Sequence, residues 1–358
     1  MQTPVTSRFF LGANSPRGFA SLYDTFMNPA DGDFLWIIKG GPGCGKSTFM
    51  KQIAAAAREH GYDVEEILCS GDPDSLDGVH IPALRTAYVD GTAPHALEAM
   101  YPAAASMYLD LGAFYDTDAL RPHLQEIETL NQRYKALYSC AYARIAAADA
   151  CDVGTYPGLF PADTRESIIR RARRSAARLS APLHGETGIV RHRFCSAFSC
   201  KGPVLCEETI AQLCPNLFGV ENRFGLAPLF LGTLAESAIA RGHSVIFCHD
   251  PMHPESPEAV LFPAIGTAFL ALRTQDTSLP IRRYIRLDRM ADPEQLRLLR
   301  PALRRTEKLR SELLDDAQQF LQQAKVLHDA LETIYNPYVN FDGIRRLAAE
   351  HNIRLFSR

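Results

Sequence analysis

A short apolar run bounded by glycines, FLWIIK at 34–39, has the length of a strand and not of a helix, so it predicts a strand buried on both faces. The next stretch, STFMKQIAAAAREHGY, is rich in alanine and stops at Gly61, which predicts a helix. DVEEILC and RTAYVDG (85–91) read as two more strands. Strand, helix and strand in alternation predict right-handed crossovers and a mostly parallel sheet. Further on, Leu124, Ile127, Leu130, Tyr134 and Leu137 recur at helical spacing and predict a helical arm over about 118–150, entered through Pro122. A second arm over about 293–335 is marked by Leu309, Leu313, Phe320, Leu327 and Leu331, its main run of about 302–335 entered through Pro301. Such spacing predicts arms that pack in the core or against each other, with a surface for a partner protein as the alternative.

The pattern is written twice. DPDSLDGVHIPALRTAYV (72–89) and HPESPEAVLFPAIGTAFL (253–270) align without a gap, pairing Pro73 with Pro254, Ser75 with Ser256, Val79 with Val260, Pro82 with Pro263, Ala83 with Ala264, Thr86 with Thr267 and Ala87 with Ala268. FFLGANSPRG (9–18) aligns with RFCSAFSCKG (193–202), and YLDLGAFYDTDALR (108–121) with YIRLDRMADPEQLR (284–297). The small drift in offset fits loops that gained or lost residues between retained elements. The expected fold is therefore α/β, with two tandem units of mostly parallel sheet over 1–160 and 191–358, each followed by a long helical arm. Residues 161–190 are expected to be a linker.

Between the predicted strand and helix stands Gly40-Gly41-Pro42-Gly43-Cys44-Gly45-Lys46-Ser47, which fits G-x-x-x-x-G-K-[ST] in the context that motif requires. Gly40, Gly43 and Gly45 permit backbone conformations closed to other residues, so successive N–H groups can wrap a polyphosphate. The helix start adds partial positive charge, Lys46 a point charge for the β- and γ-phosphates, Ser47 a hydroxyl ligand for Mg²⁺, and Thr48 a contact toward the α-phosphate. The sequence thus predicts a P-loop NTPase-like unit that takes ATP and Mg²⁺. The acidic partner in metal binding is expected where a neighbouring strand ends, which selects Asp90. Asp72, Asp74 and Asp77 form an acidic turn that could hold a metal-bound water or act as a base; a solvated turn is the plainer reading. Cys44 lies inside the loop, so its oxidation or alkylation should block phosphate entry.

In the second copy the loop is erased. Gly40 becomes Glu221, Gly45 becomes Leu226, Lys46 becomes Ala227, Ser47 becomes Pro228 and Asp90 becomes Ala271. Charge, hydroxyl and metal ligand vanish together, and Pro228 removes an N–H donor. The second unit is expected to be degenerate, leaving one nucleotide site. Arg223 could still reach across a pseudo-twofold interface to a γ-phosphate.

Composition narrows the partners. With 46% hydrophobic and 22% charged residues and a net charge of −3, the chain has the make-up of a globular protein, and nothing in its overall charge calls for nucleic acid. No segment is apolar for long enough to serve as a signal peptide or cross a membrane, so a cytoplasmic location with its nine cysteines reduced is expected. Cys195, Cys200, Cys206 and Cys214, with His192, His249 and His253, are spaced too irregularly for a zinc site to be preferred. Two arginine-rich stretches, ESIIRRARRSAARLS and RLLRPALRRTEKLR, read as solvated faces because no aromatic platform is interleaved with them.

Through FFLGANSPRGF, IIKGGPGCGKST, SGDPDSLDGVHIP, VDGTAPH and the restart at RHRF, the chain resembles an uncharacterised family of duplicated P-loop ATPases of Gram-positive bacteria over nearly its whole length. The resemblance implies fold and ATP but no substrate, and this chain departs from the family pattern at Glu221 to Pro228. Three functions are open: a Mg-dependent ATPase with one active unit and a pseudo-unit, a small-molecule or nucleotide kinase using Asp72 and Asp74, and a nucleotide-gated binding protein with little turnover. Gly91 comes after Asp90 where P-loop ATPases often carry a catalytic glutamate, so any water-activating base must come from elsewhere.

Overall fold

The computed structural model describes residues 4–94, 97–151, 158–180, 188–274 and 277–357. The first half holds strands β1 (Thr6–Phe10), β2 (Gly12–Ser15), β3 (Gly18–Ser21), β4 (Phe34–Lys39), β5 (Val64–Leu68), β6 (Leu76–Ile81), β7 (Thr86–Asp90) and β8 (Ser106–Asp110). The second holds β9 (Val190–Arg193), β10 (Ser196–Ser199), β11 (Gly202–Leu205), β12 (Asn216–Glu221), β13 (Val245–His249), β14 (Pro257–Phe262), β15 (Thr267–Leu272) and β16 (Ile281–Ile285). Helices are α1 (Lys46–Glu59), α2 (Thr117–Leu120), α3 (Leu124–Ala150), α4 (Thr164–Ala176), α5 (Glu207–Leu213), α6 (Ala227–Ile239), α7 (Pro293–Tyr335) and α8 (Phe341–Phe356).

Two six-stranded sheets result, ordered β1-β5-β6-β7-β4-β8 and β9-β13-β14-β15-β12-β16. Each is parallel except for β6 or β14, which runs antiparallel to both its neighbours. The alternation read from the sequence missed these two strands. Only a turn separates β5 from β6, and another β6 from β7, and connections so short can join only antiparallel strands.

Each sheet carries helices on its outer face, and the inner faces share one core. Trp36 and Ile38 of β4 face outward onto Phe49, Met50 and Ile53 of α1, while Ile37 faces inward into a cluster that also holds Leu217, Leu261 and Leu270 of the other sheet. At the seam, Phe10 and Phe194 exchange two backbone hydrogen bonds of 2.9 Å. Nearby Arg193, 2% exposed, grips Glu65 through Nε (2.7 Å) and Nη2 (3.0 Å), and His80 Nδ1 lies 3.2 Å from the same carboxylate. Burial alone would raise the Glu65 carboxyl; Arg193 and His80 outweigh it and hold Glu65 well below the usual carboxylate range.

The arms pack along each other in antiparallel fashion, Tyr134 beside His328 and Arg144 over Phe320, around Ala141, Ile145, Ala317 and Leu321. α7 begins at Pro293 under the Asp292 cap and runs through Pro301, so Pro301 is internal to the arm and not its entry. The helix after each arm lies on the other sheet. Ile168, Ala172 and Ala176 of α4 pack with Phe230 and Leu234 of α6, and Ile344 and Ala348 of α8 pack with α1 and β4. The segment expected to be a linker over 161–190 therefore contains a core helix, and its residues 181–187 lie outside the described part. No helix among the described residues is long and apolar enough to cross a membrane.

α8 is held at His351, which is 2.9 Å from the Tyr88 hydroxyl through Nδ1 and edge-on to Trp36 at 4.7 Å. Burial lowers its pKa from 6.5 to about 4, with Arg354 adding to the shift. The folded protein thus binds fewer protons than the unfolded chain between these values, so stability is lost as pH falls from 6.5 toward 4, by about 3 kcal/mol at most. Chemical denaturation across this window should show a shallower pH slope in His351→Gln. Arg193→Ala, which strands Glu65 in the seam, should cost about 3–5 kcal/mol in urea unfolding at neutral pH.

Candidate functional site

β4 runs into the glycine loop, and α1 leaves it with no side-chain cap on its first turn. Gly43 (φ 70°) and Gly45 (φ 78°) are left-handed, a conformation that turns the succeeding N–H groups toward one point. Lys46 Nζ donates to the carbonyls of Gly40 (2.8 Å) and Gly41 (2.9 Å) and lies 3.6 Å from Asp90 Oδ2. Asp90 stands at the end of β7, the parallel neighbour of β4, where Ile38 pairs with it. Its other oxygen accepts from the Thr92 amide (2.8 Å) and hydroxyl (2.5 Å). Burial raises the Asp90 carboxyl, Lys46 opposes this, and Asp77 adds to it. Ser47 Oγ accepts from the Leu76 amide at 2.9 Å.

Gly40, Gly41, Pro42, Gly43, Cys44, Gly45, Lys46, Ser47, Thr48, Asp72, Asp77 and Asp90 all line one cavity of about 680 Å³. Asp74 is not among them. It is exposed and pairs with Lys201 on the β10–β11 turn at 2.6 Å, so the acidic turn splits, Asp72 facing inward and Asp74 toward the other half. Asp77 is buried and accepts from the Tyr23 hydroxyl at 3.1 Å. A Cβ on Gly91 would sit 2.3 Å from Ile37 Cγ2 and 3.4 Å from Lys39 Nζ, which is why no side chain comes after Asp90.

The arms roof this cavity, a role no local pattern announced. α3 contributes Asn131, Tyr134, Lys135 and Tyr138, and α7 contributes Lys325, His328, Leu331 and Glu332, with Asn336 just beyond its end. Lys325 lies 3.4 Å from Asp72 and 2.5 Å from Asp329. Tyr115 donates to the Pro42 carbonyl at 2.7 Å. His328, Asp329 and Glu332 bring ligand-type atoms within 4.8 Å of one another, although Lys325 already engages Asp329.

At the corresponding end of β12 the chain turns differently. Leu226, before α6, has φ −87°, and Asn222 Oδ1 accepts from the Ala227 amide at 3.0 Å, occupying the helix start. Arg223 Nε donates to Glu307 Oε1 at 3.0 Å and Arg223 lines a separate cavity of about 560 Å³, so it does not reach the loop of the first half. Burial pushes the Asp288 carboxyl in that cavity up to about 6, and Glu221 adds to the rise. Cys195 and Cys214 belong to the shared core and Cys206 to the seam.

Comparison with protein-family models, curated proteins and solved structures finds no match to this chain. Cys44 is 1% exposed, and burial raises its thiol despite the nearby Lys46. Iodoacetamide at neutral pH should therefore modify the half-buried Cys140 and Cys151 while Cys44 survives in the native protein, as peptide mass spectrometry would report.

Proposed function

We propose that the chain is a Mg-dependent ATPase built of two tandem P-loop NTPase-like units, one active and one degenerate, in keeping with the family it resembles. The observation that carries this reading is Lys46, poised on the glycine carbonyls and 3.6 Å from Asp90 at an uncapped helix start. The N–H groups of the loop and of the first turn of α1 would hold the phosphates, and Lys46 would exchange loop carbonyls for phosphate oxygens. Ser47 and Asp90 are hard oxygen donors suited to Mg²⁺, and a cation there would favour the charged form of a carboxyl that burial raises. Magnesium would neutralise charge on the transferring phosphoryl group. Asp77, buried in the same cavity, is the residue best placed to take a proton from water, a part that Gly91 has no room to play.

One observation favours a second reading, a nucleotide-gated binding protein: α7 closes over the loop, so occupancy of the site would be felt along the arm and offered to a partner. The kinase reading is weakened by Asp74, which pairs with Lys201 outside the cavity.

Phosphate release from Mg·ATP without an added acceptor is the test. Lys46→Ala should lose nucleotide binding. Asp90→Asn should keep binding but turn over about 10²–10³-fold more slowly. Binding without turnover in the unmodified protein overturns the ATPase and leaves the gated reading, whereas absence of binding overturns both.

A further inference from the structure

On the outer face of the second sheet, Phe218 of β12 and Phe269 of β15 stack with centroids 4.9 Å apart and planes 16° apart. The first sheet carries Trp36 and Tyr88 at the corresponding places, stacked at 6.2 Å and 12°. There α8 covers the rings: His351 stands edge-on to Trp36 and the Arg354 guanidinium lies 5.2 Å over it. Over the second sheet Phe269 is buried beside Phe230 of α6, but Phe218 is left half-buried. A cavity of about 410 Å³ remains, lined by Arg171, Arg174 and Arg178 of α4, Arg283 of β16, Ser175, Thr267 and the two phenylalanines.

Among the described residues, none of those lining this cavity is a carboxylate. Burial pushes Arg171 below its ordinary pKa, and Arg283 and Arg174 add to the shift while Glu221 opposes it, so the positive charges gathered here are only partly balanced. Its N–H reaches a backbone carbonyl, that of Arg286, at 3.4 Å. Four guanidinium groups around a small open cleft suit phosphate, since the planar fork matches its oxygens in pairs. The aromatic floor suits a flat ring, and the volume is that of a ligand of ordinary size.

We propose that this cavity is a binding site for an organic phosphate of the size of a nucleoside monophosphate, its phosphate held by Arg171, Arg174, Arg178 and Arg283 and its ring laid on Phe218. The site is separate from the glycine loop and does not depend on Lys46. It also changes the reading of the arginine-rich stretch at 166–180, which is not simply a solvated face.

Calorimetric titration with AMP and with phenyl phosphate tests it, run on the unmodified chain and on Lys46→Ala. The expected result is one-to-one binding in both proteins, weakened by added salt. Arg174→Ser or Arg283→Ser should lower the affinity about tenfold to a hundredfold. Phe218→Ala should weaken both probes while leaving inorganic phosphate unaffected. Both arginine variants should melt no lower than the parent in phosphate-free buffer, because each relieves repulsion, which separates lost binding from lost folding. The proposal is overturned if neither probe binds Lys46→Ala at millimolar concentration, or if binding is indifferent to the arginine substitutions.

Discussion

The packing of α3 along α7 is the contact on which the rest of the structure depends. Two antiparallel arms with small residues at their crossing, Ala141 and Ala317, come close enough to carry the helix after each arm across to the opposite sheet. Without α8, Trp36 on the outer face of the first sheet and Phe49 of α1 would lose their cover, and without α4 so would Phe230 and Leu234 of α6. Each half therefore completes the core of the other, and the Arg193–Glu65 pair and the Phe10–Phe194 backbone exchange seal the inner seam between them.

The same crossing builds the candidate site. The loop, its lysine and Asp90 come from neighbouring strands of one sheet, but the roof comes from the two arms, and the α7 part of it is drawn from the far end of the chain. Burial at the end of β7 raises the Asp90 carboxyl and strengthens its interaction with Lys46 relative to an open surface. It also ties the loop to α7, because Asn336 and Glu332 fill the space beside Gly43 that a Cβ would need.

The two sheets differ in complementary ways. The first keeps glycines in left-handed conformations before α1 and covers its outer aromatic pair with α8. In the second, Asn222 occupies the helix start, while Phe218 of the outer pair stays half-buried beside four arginines. The capped helix start at one end of β12 is thus accompanied by an arginine-lined cavity on its outer face.

Much of this was legible along the chain. FLWIIK, the alanine-rich helix, DVEEILC and RTAYVDG each fold as their local pattern predicts, because strand and helix preference and glycine's left-handed freedom act over a few residues. The motif from Gly40 to Ser47, the placing of Asp90 and the absence of that motif from Glu221 to Pro228 are local in the same sense. The antiparallel β6 and β14 were hidden, since an apolar run does not reveal its direction. Asp72 and Asp74 look alike in sequence, yet one faces the cavity and the other Lys201, a choice made by the β10–β11 turn of the other half. Lys325, Glu332 and Asn336 carry no signal in an arm that reads as packing seam. By itself the sequence determined the elements and the glycine-rich loop between β4 and α1; only the tertiary structure decided which helix covers which sheet and what roofs the site, because those outcomes rest on contacts between residues hundreds of positions apart.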